Sequence, residues 1–132
     1  LNGALGGLVA ITAEPLMPTP LMAIIIGGIG GALVFAGTEL LTAMKIDDVV
    51  GAIPVHLIAG VWGTLAVPIT NPDTSFGTQF LGTASICVFV FVVSIIIWSI
   101  MKATIGIRIS EEAEKEGTDV AETGVIAYSI RD

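Results

Sequence analysis

The chain has 132 residues, of which 54% are hydrophobic and only 13% charged, a balance that does not suit a water-soluble surface and points to lipid. Its formal net charge of -7, from 12 acidic against 5 basic residues, argues against a nucleic-acid partner, because phosphate binding needs clustered Lys and Arg. One cysteine, Cys87, and one histidine, His56, supply neither an internal disulfide nor a metal site, and no nucleophile–base pair for an enzyme. No cofactor is expected.

Residues 1–13 are apolar and rich in small side chains, but fall short of the roughly 20 residues that cross a hydrocarbon core. They read as part of a transmembrane helix cut short, with a re-entrant half-helix as the alternative. Residues 21–44 form one apolar stretch interrupted only by Glu39, and residues 49–69 a second whose single titratable group is His56. Residues 78–101 form a third with no charge, set off by the turn-rich run Asn71-Pro72-Asp73-Thr74-Ser75. Each is long enough, at about 1.5 Å per residue, to span roughly 30 Å of hydrocarbon. Soluble cores interrupt their apolar runs far sooner. The expected fold is an all-α integral membrane protein, with residues 102–132 as a polar tail holding most of the acids.

The basic residues set the orientation, since cytoplasmic loops retain Lys and Arg. Lys45 follows the first full span, and Lys102 and Arg108 follow the third, whereas the segments at 14–20 and 68–77 contain no base. The tail is therefore expected in the cytoplasm of a multi-pass plasma-membrane protein.

Glycines at 3 and 7, and at 27 and 31, match the small-xxx-small spacing that lets helix backbones approach in lipid. His56 lies inside a span, where an ionisable group faces a cavity or a partner. A neutral imidazole donates from one nitrogen and accepts at the other, so it suits either a transport path or an interhelical hydrogen bond. Pro54, two residues earlier, frees a backbone carbonyl nearby. In the tail, Ser110 is placed to cap a helix whose first turn carries Glu111 and Glu112, Glu111 and Lys115 are four apart, and Gly117 stops it. Asp47 and Asp48 are placed to cap a helix entering at Val49.

The order Asp47-Asp48, Val55-His56 and Gly60-Val61-Trp62-Gly63-Thr64-Leu65 resembles the penultimate span of ammonium transporters. Asn2-Gly3-Ala4-Leu5 with Gly7-Leu8-Val9-Ala10-Ile11-Thr12 is similar to the outer half of their eighth span, and Leu40-Leu41 with Lys45-Ile46-Asp47-Asp48 to their ninth and its loop. The run Lys102-Ala103-Thr104-Ile105-Gly106-Ile107-Arg108, with Glu111-Glu112, Glu116-Gly117, Asp119 and Ala127-Tyr128, resembles their cytoplasmic tail.

The resemblance implies the C-terminal part of an eleven-span protomer within a homotrimer, conducting ammonium or ammonia past two stacked histidines. His56 matches the second; the first belongs to the missing N-terminal half. It also implies cytoplasmic gating or tail contacts at Asp47, Asp48, Arg108, Gly117, Asp119 and Tyr128, in some members with a PII-type signalling protein. Departures are Leu57 where many relatives have glycine, Val49 where a proline often follows the two aspartates, and Thr123 and Val125 in the tail. Alternative readings are a non-conducting docking or ammonium-sensing module, and a fragment without activity of its own.

Overall fold

The computed structural model describes residues 1–127. Among the described residues all regular structure is helical: α1 (Asn2–Ile11), α2 (Pro20–Ala43), a π-helical segment π1 (Ile53–Ile58) running into α3 (Ala59–Thr70), α4 (Phe76–Thr104), α5 (Glu111–Glu116) and a second π segment π2 (Asp119–Thr123). The stretches Pro20–Ala43, Ile53–Thr70 and Phe76–Thr104 are long and apolar enough to cross a membrane. The chain divides into two compact units, Leu1–Val88 and Phe89–Asp132.

Local chemistry fixes the ends of α2. Thr19 is extended at ψ 159, its hydroxyl accepts from the Met22 N–H at 3.3 Å, and Pro20 fills a first-turn position where no N–H is needed. At the other end Lys45 adopts a left-handed φ of 57. Lys45 N–H donates to Thr42 O at 3.0 Å and Ile46 N–H to Leu41 O at 3.0 Å, the paired C-terminal closure that glycine usually provides.

The core of the first unit is built from small side chains. On α2 the buried residues are Ile26, Gly30, Val34 and Gly37, a single face at helical spacing, and α1 turns Gly6 and Ala10 toward it. Here glycine is required by close approach: a Cβ at Gly31 would lie 2.8 Å from Gly3 O, and one at Gly7 3.0 Å from Gly27 O. On α3 the buried Ala59, Gly63, Ala66 and Val67 complete the packing. Trp62 packs on Ala10, Ile26 and Ala66, and its Nε1–H donates to Ile26 O at 3.0 Å, so the indole's one polar group is satisfied. Asn71 Nδ2 donates to Glu14 Oε2 at 2.8 Å, joining the turn after α3 to the one after α1.

In contrast α4 buries no residue along its 29 positions. Phe80, Val88, Phe89, Ile96 and Trp98 are all more than half exposed. A helix apolar on every side is a core helix or a membrane span.

The apolar run at 49–69 begins as a turn. Val49 and Val50 precede Gly51, whose φ is +73, and helical structure starts only beyond it. The N-terminal helix likewise occupies Asn2–Ile11 rather than all of residues 1–13.

Candidate functional site

His56 sits in π1, and the start of that segment is defined by Asp48. Its Oδ1 accepts from the Ala52 N–H and its Oδ2 from the Ile53 N–H, both at 2.8 Å. A carboxylate at a helix start satisfies orphan N–H groups and meets the positive end of the helix dipole. The cap thus acts at Ala52 and Ile53, not at Val49, and Asp47 is exposed, with no bond to that helix start. The Ala59 N–H reaches back to Pro54 O, the wide closure of a π turn, a feature frequent at functional sites.

The two faces of this segment differ sharply. Pro54, Val55 and Ala59 are buried, and a Cβ at Gly37 of α2 would meet Ile58 Cδ1 at 2.5 Å and Pro54 Cβ at 3.4 Å. His56 and Leu57 are exposed. Among the described residues the imidazole has no hydrogen-bond partner, so the interhelical hydrogen bond considered from the sequence is not made within them.

A groove of about 310 Å³ opens beside the imidazole. One wall carries His56, Gly60 and Thr64, and the facing wall Gln79, Thr83 and Cys87 of α4. Thr64 donates its hydroxyl to Gly60 O at 3.0 Å, while Thr83 Oγ1 is buried with no partner among the described residues. Each wall is a stripe with a four-residue step, 56/60/64 and 79/83/87. The second stripe is absent from the sequence reading, although Gln79, Thr83 and Cys87 recur at every fourth position and so share one face of a helix.

A second cavity, about 360 Å³, lies at the turn between α2 and π1 and is lined in part by Thr38, Thr42, Lys45, Asp47 and Asp48. Among the described residues no group of three metal-ligating side chains occurs.

In the second unit Arg108 Nη2 donates to both carboxylate oxygens of Glu114 at 3.0 Å. Ser110 Oγ accepts from the Ala113 N–H at 3.2 Å, and Lys115 Nζ donates to Glu111 Oε1 at 2.7 Å. Gly117 ends α5 with φ +103, where a side chain would be strained and its Cβ would lie 2.7 Å from Asp119 Oδ1. Asp119 Oδ2 accepts from the Ala127 N–H at 2.8 Å. These exposed pairs organise the tail locally; each adds little stability in water. Tyr128 lies outside the described residues.

A family model for the Ammonium Transporter Family matches residues 1–128. The chain is 40% identical over 126 residues to a Synechocystis sp. protein named provisionally as an ammonium transporter, covering 94% of this chain and 28% of that protein. It is 35% identical to ammonium transporter Amt1 of Haloferax mediterranei, covering 96% of this chain and 26% of the relative. It is 37% identical to the ammonium transporter of Bacillus subtilis, covering 97% and 36%. The chain thus spans about a third or less of the length of the curated relatives it matches. With a match along nearly its whole length and three apolar helices of spanning length, this integral membrane chain belongs to the ammonium transporter family.

Proposed function

We propose that this chain forms one part of the wall of an ammonium or ammonia conduction path, with His56 as a hydrogen-bonding group facing that path. The observation that carries the reading is the exposed imidazole, without a partner among the described residues, on a segment whose opposite face is packed. A titratable side chain on an apolar span is costly unless it meets a cavity, a partner or a substrate. In an apolar bore a bare cation loses its hydration at great cost, whereas neutral ammonia beside a neutral imidazole keeps a hydrogen bond. His56 can donate to one neighbour and accept from the next without carrying charge.

The remaining assignments follow the family resemblance. The protein is a homotrimer in the plasma membrane; residues 1–13, 21–44, 49–69 and 78–101 lie in the bilayer; residues 102–132 form a cytoplasmic tail. Asp47, Asp48, Arg108, Gly117, Asp119 and Tyr128 belong to the cytoplasmic gating apparatus, which a PII-type signalling protein contacts. The 132-residue stretch alone inserts but does not conduct, because the first histidine and the other pore wall belong to an N-terminal half outside these residues.

Reconstitution tests this directly. Liposomes with a full-length transporter carrying this segment are expected to take up methylammonium saturably, and liposomes with the 132-residue chain alone are not. Robust uptake by the short chain refutes the divided pore, and none by the long one favours a sensing or docking role. Orientation is checked by replacing Cys87 with Ser and placing single cysteines at Ser75 and Glu116. A membrane-impermeant thiol reagent added outside cells should label the first and spare the second; the reverse pattern overturns the topology.

A further inference from the structure

Pro54 has no N–H, so in a regular helix the carbonyl four residues earlier, that of Val50, loses its donor. That carbonyl is not left empty. Asn2 Nδ2, on the first turn of α1, donates to Val50 O at 3.2 Å across a separation of 48 residues. A carbonyl acceptor at this place fixes the amide with its nitrogen toward Val50.

The neighbouring N–H groups are supplied locally. Those of Ala52 and Ile53 go to Asp48, and that of Val55 goes to Gly51 O at 3.0 Å. Among the described residues, only the Val50 carbonyl of this turn draws on another helix. Gly51 is buried at φ +73, and a Cβ there would collide with Asn2 Nδ2 and stand 4.0 Å from Val55 Cγ2. The amide of Asn2 therefore occupies the space that glycine leaves, and each residue presupposes the other.

We propose that Asn2 is a positioning residue for His56: its amide stands in for the N–H that Pro54 lacks, and so holds the Val50–Gly51 turn and the rotational setting of the π segment. The idea rests on reading His56 as a conduction group. Released from Asn2, the turn gains freedom at the point where the π closure begins, and His56 five residues on changes its aim rather than its chemistry. A residue that merely tethered α1 would alter how much protein folds and leave the properties of each folded molecule unchanged.

The experiment uses a full-length transporter carrying this segment, with Asn2→Ala, Asn2→Asp and His56→Leu compared per folded molecule. Methylammonium uptake, its inhibition by potassium, and hydrogen exchange across residues 51–58 are measured. Asn2→Ala should slow maximal uptake roughly 3- to 10-fold, the range of one lost hydrogen bond, leave potassium inhibition unchanged because no charge enters the bore, and speed exchange across 51–58 by a similar factor. Asn2→Asp, which sets a carboxylate oxygen against the Val50 carbonyl, should do at least as much. Gly51→Ala should cost less in the Asn2→Ala background than alone, because the collision with the amide is gone and only the backbone strain remains.

Wild-type uptake per molecule in both Asn2 variants, with His56→Leu impaired, overturns the positioning role and leaves the conduction reading intact. Unimpaired His56→Leu sinks the conduction reading, and the positioning of His56 for transport falls with it. Unchanged exchange at 51–58 in Asn2→Ala overturns the latch whatever transport does.

Discussion

Replacing His56 by Leu in a full-length transporter carrying this segment should slow methylammonium uptake roughly 5- to 150-fold while leaving folding intact. Folding is spared because His56 is exposed and the packed contacts of π1 are made by Pro54 and Val55 on the other side. Leucine keeps similar bulk but has neither ring nitrogen. A substrate that loses its hydrogen-bond partner where it is least hydrated loses about 1–3 kcal/mol, which at the limiting barrier converts to the range given. Aspartate or glutamate has a different effect. A fixed negative charge in a medium of low dielectric stabilises a bare cation, so potassium should compete with methylammonium in these variants and not in the leucine one. Uptake and selectivity indistinguishable from wild type in both kinds of variant would show that His56 takes no part in conduction.

Gly63→Val should prevent the first unit from packing, and Gly63→Ala should lower its melting temperature in detergent. A Cβ at Gly63 would collide with the Ala10 carbonyl oxygen and lie 2.8 Å from its carbon and 2.9 Å from its Cα. The obstacle is backbone, so no rotamer change can relieve it, and relief requires α1 and α3 to move apart. Overpacking of this kind costs about 1–3 kcal/mol or more. Gly82 supplies the contrast, since it lies in α4 with nothing within 4 Å of an added Cβ. Gly82→Ala should be neutral or raise stability by up to about 1 kcal/mol, the difference in helix propensity. Equal melting temperatures for Gly63→Ala and wild type would contradict the close approach of α1 and α3.

The span-length helices are legible in the sequence because twenty uncharged apolar residues in a row have few other uses. The Ser110 cap and the stop at Gly117 are legible for a similar reason: their side chains act on backbone within one turn. The π segment is not. Its signature is a hydrogen bond one residue longer than usual, and a run apolar on every side carries no phase from which that extra residue could be read. Pro54 gives the one local hint, a carbonyl without a donor, but its partner Asn2 is 48 residues away. Where helical structure begins in the run at 49–69 is not legible either, because Val49 and Val50 extend its hydrophobicity into a turn that only the positive φ of Gly51 marks. His56 stood out because it is the lone histidine. Thr83, on the other wall of the groove, is one of many threonines, and the four-residue step it shares with Gln79 and Cys87 is blurred by Thr78 and Ser85 beside it.

The seam between α1 and α2 has a mechanical consequence. Where Gly3, Gly6 and Gly7 meet Gly27, Gly30 and Gly31, main chain lies against main chain, and such a surface has no rotamers to exchange. It forms without loss of side-chain entropy, and it has no soft elements through which to yield. Sliding one helix along the other would bring Val34 or Ala10 to points that admit only hydrogen, since a Cβ at Gly6 already strikes Val34 and one at Gly30 comes within 2.5 Å of the Ala10 Cβ. The pair is a stiff plate. If the segment bearing His56 shifts during a transport cycle, it moves against this plate, and the compliance must come from the turn at Val50 and Gly51 rather than from the helix crossing.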